Sequence, residues 1–177
     1  IIIHAPWYED IHGGETATGV AQFGFDRMTS EEKITWTPEM SVGVDVLDED
    51  HKILIASLND FIDACENDEG ILITDSIFST LLEYTNYHFS REEKIMEVCR
   101  YNNLEDHKRL HETLKKRISD TRDRYVSNRS GELESEIKEF LRSWLTDHIL
   151  VCDMDYASDC AGKEKEIAAV LEKNALG

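Results

Sequence analysis

Proline is almost missing from this chain: Pro6 and Pro38 are the only two in 177 residues, and none follows residue 38. With no pyrrolidine ring to interrupt intrahelical hydrogen bonds, long unbroken helices are open to all the remaining sequence. Positive charge is scarce too. Nineteen Lys and Arg face 37 Asp and Glu, a formal net charge of -18 that repels nucleic acid and the anionic face of a membrane. No run of about 18 apolar residues occurs, so no segment is expected to insert into a bilayer. The opening residues IIIHAPWYED contain neither a basic region nor an apolar core of signal-peptide length, and a cytoplasmic protein is expected. The four cysteines, Cys65, Cys99, Cys152 and Cys160, form no CxxC pair, and free buried thiols in a reducing compartment are the expectation. Cys152 stands apart only in directly preceding Asp153.

What the chain does have is helical periodicity. From about residue 48 onward, apolar side chains recur at alternating spacings of three and four. The first helix is expected to begin near Asp48, as N-cap, with His51, Leu54, Leu58, Ile62 and Cys65 on its stripe. After ENDEG a second runs from about Thr74 to Cys99, carrying Ile77, Leu81, Tyr84, His88, Ile95 and Cys99. The third follows Asn103 with Leu104, His107, His111, Leu114, Ile118 and Tyr125. Beyond SNRSG the fourth carries Leu133, Ile137, Leu141, Trp144 and His148, and a shorter helix is expected from about Lys163 to Lys173.

Helices joined by short connections suit antiparallel packing. The expected fold is therefore all-α: an antiparallel up-down-up-down four-helix bundle with a short C-terminal helix. Residues 1–33, glycine-rich at positions 13, 14, 19 and 24 and without sustained period, read as an extended N-terminal tail or linker, leaving 34–177 as the bundle domain. Met28 is a candidate start codon, and His4 and His12 in the tail are not expected to bind metal.

Seven polar side chains interrupt the apolar stripes: His51, His88, Glu92, His107, His111, His148 and Asp153. His107 and His111 are four apart, so both rings project from one helix face, and His88 and Glu92 repeat that geometry. His148 and Asp153 are five apart, which on an ideal helix turns the second side chain about 140° away from the first. The fourth helix is therefore expected to end or loosen near Val151, bringing Asp153 back. Seven such groups would each cost several kcal/mol to bury without partners, and shared coordination of two metal ions resolves all of them together. Glu93, beside Glu92, is expected to be solvated or to support a ligand rather than to be an eighth one.

The order HxxxE, HxxxH, HxxxxD after an isolated His resembles the hemerythrin family, and DEDHK, HFSREE and WLTDHILVCD are similar to the bacterial hemerythrins. The likeness spans about Trp36 to Tyr156. It implies that His107, His111 and His148 hold one iron, that His51 and His88 hold the other, and that Glu92 and Asp153 bridge them. It also implies a hydroxo or oxo bridge, and an open position for dioxygen on the two-histidine iron. Leu54, Phe89, Trp144 and Ile149 match the family's oxygen pocket, and Trp36 and Tyr156 match residues that pack and hydrogen-bond around the site.

The expected function is reversible dioxygen binding by a non-haem diiron protein, for carriage, storage or delivery, without enzymatic activity. One alternative is an oxygen or redox sensor acting through residues 1–33 on an upstream signalling domain or protein partner. The other is a diiron oxidase or peroxidase. Against the latter, the ExxH pairs of carboxylate-rich diiron oxidases are missing from the helical stretches, and five imidazoles leave few anionic ligands to stabilise high-valent iron.

Overall fold

The computed structural model describes residues 33–128 and 130–175. The tail expected at 1–33, with His4, His12 and Met28, lies outside the described residues except for Lys33. The elements in chain order are a 3-10 turn at Pro38–Met40, α1 (Asp45–Glu66), α2 (Ile71–Cys99), α3 (Leu104–Ser127) and α4 (Gly131–Asp147). A π-helical turn, His148–Asp153, then leads directly into α5 (Met154–Cys160), and α6 (Glu164–Ala175) is the last described element. No described helix is long and apolar enough to cross a membrane.

Within the first four helices, three or four residues separate each from the next, so the chain reverses at these three connections and the helices alternate in direction. Packing of α1 on α2 and α4, and of α3 on α2 and α4, closes the ring. The apolar stripes turn inward as expected. Leu54, Leu58, Phe61, Ile62, Phe78, Leu81, Leu110, Leu114, Ile118, Ile137 and Leu141 form a continuous core with Trp144 and Ile149. A second cluster, Val42, Val44, Leu47, Ile95, Met96, Cys99, Tyr101, Tyr156, Cys160 and Ile167, joins α5 and α6 to α1 and α2.

Helix boundaries depart from expectation in one instructive place. Helix α1 begins at Asp45, three residues before the expected N-cap Asp48, and its N-cap Val44 makes no side-chain cap. The Asp48 carboxylate instead accepts from the Ser41 hydroxyl at 2.6 Å and the Val42 N–H at 2.9 Å. It thus fixes the loop ahead of the helix rather than the helix's own first turn. At the start of α4 Ser130 does cap, accepting from the Leu133 N–H. Helix α2 begins slightly earlier than expected, at Ile71, and α6 runs slightly later.

The expectation of four free thiols is corrected. Cys99 and Cys160 form a disulfide across a Cα–Cα distance of 5.0 Å, within the ordinary span for such a bond, while Cys65 and Cys152 take no part in a disulfide. The pair is not visible as a short motif because 61 residues separate its members, and only the packing of α5 on the end of α2 brings them together. With that bond present, cysteine usage no longer argues for a reducing compartment.

Candidate metal centre

Four elements deliver the seven polar side chains to one buried place. Helix α1 carries His51, α2 carries His88 and Glu92, α3 carries His107 and His111, and the π turn carries His148 and Asp153. All seven are buried, six of them essentially completely and His107 at 5 % exposure. The pairs spaced by four stand on regular helix. The pair spaced by five stands on the only π-helical segment among the described residues, which begins at His148 rather than near Val151. A turn closed by i to i+5 hydrogen bonds takes up the extra residue, so the Asp153 carboxylate returns to 3.3 Å from His148 Nε2.

The donor atoms fall into two groups that share Glu92. Glu92, His107, His111 and His148 make one, and His51, His88, Glu92 and Asp153 make the other, with the atoms in each within 4.8 Å of one another. Asp153 also reaches across: Oδ2 is 3.3 Å from His51 Nε2, while Oδ1 is 3.4 Å from His107 Nε2. Glu92 Oε2 lies 3.1 Å from His111 Nε2 and 3.9 Å from His88 Nε2. Donors bound at right angles about 2.1 Å from a shared cation lie about 3 Å apart, so these separations suit cation binding.

The hydrogen bonding points the same way. Both nitrogens of His51 and His88, Nε2 of His107, Nδ1 of His148, Oε2 of Glu92 and both oxygens of Asp153 are buried without a hydrogen bond. His111 Nδ1 meets Glu93 Oε1 at 2.8 Å. If it donates there, the neutral ring aims its Nε2 lone pair at His148 Nε2, 3.3 Å away, and at the Glu92 carboxylate. Acceptors facing acceptors in a dry interior repel, and a cation between them turns each into a ligand.

Protonation cannot satisfy the cluster equally well. Burial opposes charge on Glu92 and Asp153, yet the surrounding imidazoles hold both carboxylates below their ordinary range. Burial likewise disfavours the imidazolium at His107, but Asp153 and Glu92 raise it to about 10. At His148 burial prevails and lowers it to about 3. Two neighbouring imidazoles are thus driven to opposite protonation states, which cations would relieve by replacing protons altogether.

Apolar and aromatic groups close the site. Phe89 stacks on His111 with ring centroids 3.7 Å apart and lies 5.3 Å from His148. Trp144 meets Phe89 edge-on at 6.4 Å, and Leu54 and Ile149 are fully buried in the same cluster. Trp36 lies 6.3 Å from His51 with Lys52 over its outer face. The Tyr156 hydroxyl donates to Glu92 Oε1 at 2.5 Å, leaving Oε2 for the imidazoles.

Asp50 was not among the expected site residues. Its carboxylate, 2 % exposed, accepts from Tyr84 at 2.8 Å and from Arg91 at 2.9 Å, and stands 3.5 Å from His88 Nδ1. Burial disfavours its charge, but His88, Tyr84 and Arg91 outweigh that and lower its pKa. A carboxylate this near one imidazole nitrogen electrostatically favours the proton on that nitrogen, which leaves the other nitrogen's lone pair for a cation. The available signal was a carboxylate four residues before Leu54, on the apolar face of α1.

Comparison with known proteins places this geometry in context. The family model for the Hemerythrin HHE cation binding domain matches residues 42–158. The bacteriohemerythrin of Pseudomonas aeruginosa is 31% identical over 123 residues, covering 70% of this chain and 78% of that protein. The bacteriohemerythrin of Clostridium acetobutylicum is 26% identical over 124 residues, 68% of this chain and 96% of the relative. The myohemerythrin of Sipunculus nudus is 26% identical over 121 residues, 68% of this chain and 88% of the relative.

Proposed function

The chain belongs to the hemerythrin family, and from that premise we propose that it is a non-haem diiron protein that binds dioxygen reversibly. In this reading His107, His111 and His148 would hold one iron, His51 and His88 would hold the other, and the Glu92 and Asp153 carboxylates would serve both. The observation that carries it is the buried set of seven donors, most of them without hydrogen bonds, in two groups that share a carboxylate. Iron held there would supply reversible electron transfer to dioxygen.

The protein's own groups do the rest. Tyr156 orients Glu92 by donating to Oε1, and Glu93 and Asp50 stand at the outer nitrogens of His111 and His88. Leu54, Phe89, Trp144 and Ile149 form the dioxygen pocket in this proposal. Their burial excludes the water and mobile protons that would turn reversible binding into irreversible oxidation. Five imidazoles with only two carboxylates favour binding over oxidative catalysis, because few anionic ligands are present to stabilise high-valent metal. Carriage, storage or delivery of dioxygen, rather than catalysis, is the role assigned.

We place the domain boundary between residues 33 and 34. Ile34 is buried, and its backbone N–H and carbonyl pair with the Asn59 side chain at 3.0 and 2.9 Å, tying this point of the chain to α1.

Protein purified with iron supplied tests the reading. Two irons per chain are expected, with a visible charge-transfer band that appears in air and reverses when oxygen is removed. Iron content well below two, or a spectrum indifferent to oxygen, would overturn it.

A further inference from the structure

Cys99 lies seven residues beyond Glu92, and Cys160 lies seven beyond Asp153. Seven residues are close to two helical turns, so each cysteine shares a helix face with the carboxylate before it. The disulfide therefore joins, two turns below the site, the two segments that carry the carboxylates. Weaker ties run beside it. Tyr156 donates to Glu92, Tyr101 donates to Asp155 at 2.7 Å, and the Lys163 ammonium donates to the Cys99 carbonyl.

The bond matters because of the π turn that precedes α5. A π turn holds one residue more than α-helix in the same register, and relaxing it to α-helix would rotate everything after it by about 100°. Asp153 would then leave His51 and His107, Tyr156 would leave Glu92, and Cys160 would leave Cys99. Hydrogen bonds resist such a shift only weakly and exchange readily with water, whereas a covalent bond does not yield to it. We propose that the Cys99–Cys160 disulfide is the positioning element for Asp153, and that its thiol–disulfide exchange controls how tightly the site retains metal.

The proposal rests on Asp153 being a metal ligand. In the exchange, a small thiolate attacks one cysteine sulfur, the S–S bond breaks, and a mixed disulfide forms. A second small thiolate then attacks the small sulfur of the mixed disulfide, and the cysteine leaves as thiolate while the two small sulfurs stay joined. The protein gains two electrons and two protons, giving two cysteine thiols, while two small thiols leave as one oxidised disulfide. The reverse reaction takes that disulfide as oxidant. Cys99 and Cys160 are 1 % and 3 % exposed and packed with Ile167 of α6, so exchange follows local opening of that helix.

The test uses the full chain loaded with iron in a Cys65→Ser, Cys152→Ser background, so that only this pair responds. Oxidised protein, protein reduced with a phosphine that is then removed, and the further Cys99→Ser, Cys160→Ser variant are compared, with thiols counted by alkylation and mass. The first readout is the rate of iron transfer to a ferrous chelator. The second is hydrogen exchange in metal-free protein over residues 148–160 and 83–95. Reduction should speed iron transfer about tenfold, the scale of losing support around a ligand, and should deprotect 148–160 but not 83–95. Glutathione disulfide should restore both, and the serine variant should match the reduced form whatever is added. Equal transfer and equal exchange before and after verified reduction would overturn the proposal. So would a peptide map of oxidised protein without the Cys99–Cys160 bond. If the protein holds no iron, the diiron reading fails by itself, and hydrogen exchange still decides whether the disulfide fixes the register.

Discussion

Two stretches of this protein perform the same task by different means. In α2, His88 and Glu92 are four residues apart on regular helix and point together at no conformational cost. In the π turn, His148 and Asp153 are five apart and meet only because the backbone widens. The regular pair is embedded mid-helix, with buried Leu81, Phe89, Ile95 and Met96 on either side holding its register. The wide turn sits where α4 has ended, and its far side is held by Tyr156 and the Cys99–Cys160 bond. A ligand pair in helical register is fixed by its own helix, while one out of register depends on what anchors the chain after it.

Removing the carboxylate from each stretch in turn should separate the two most strongly. Glu92 belongs to both donor groups and Asp153 to one. Glu92→Ala is expected to remove nearly all iron, whereas Asp153→Ala should retain one ion among His107, His111, His148 and Glu92. Iron per chain, measured after purification with iron present, decides it. Equal iron in the two variants would mean that the carboxylates are interchangeable and that the asymmetry is not functional.

A smaller effect separates the carboxylates behind the ligands. Asp50→Ala and Glu93→Ala should each weaken metal retention by about tenfold, because each leaves one imidazole free to turn. They should differ in fold stability. Asp50 also holds Tyr84 and Arg91 in a nearly buried setting, and its loss should cost about 2–3 kcal/mol; the more exposed Glu93 should cost less than about 1 kcal/mol. Chelator competition and denaturant unfolding of the metal-free proteins measure the two quantities separately. Matching stabilities would show that Asp50 acts on His88 alone.

The pocket gives a smaller change again. Leu54→Asn places a polar amide in an apolar site and admits water. The oxygen-dependent spectrum should still form but fade a few-fold faster than in the parent at equal iron content. An unchanged lifetime would leave Leu54 as core alone.

The regular parts of this structure were legible and the irregular parts were not, for a common physical reason. The four stripes, and the facing of His88 with Glu92 and of His107 with His111, follow from helical period, which depends only on local spacing. The return of Asp153 was inferable from its five-residue spacing, but not that the widening begins at His148. That start is not set by the spacing of the two ligands alone. The same holds for Asp48, whose side chain was free to serve either the helix or the loop before it and serves the loop. Asp50 and the Cys99–Cys160 bond act across 38 and 61 residues of chain, from Asp50 to His88 and from Cys99 to Cys160, and no local pattern announces such partners.

The smallest effect is expected when the wide turn itself is removed. Deleting Val151, a partly exposed residue of the π turn, leaves His148 and Asp153 four apart, the spacing already used by His88 and Glu92. The deleted residue is the one the wide turn accommodates, so the segment should close into continuous α-helix with Asp153, Tyr156 and Cys160 still in place. Iron content and the oxygen-dependent spectrum are expected to stay within about twofold of the parent, and thermal stability should hold or rise as the π turn's irregular hydrogen bonds are replaced. Its iron release should also no longer respond to reduction of the disulfide, because no extra residue remains to be let out. Measuring release with and without reduction in the deletion variant, beside the parent, tests both points. Loss of iron on deletion would show that the π turn supplies a donor position regular helix cannot reach. Retained iron with retained redox response would show that the disulfide acts on the site by some route other than register.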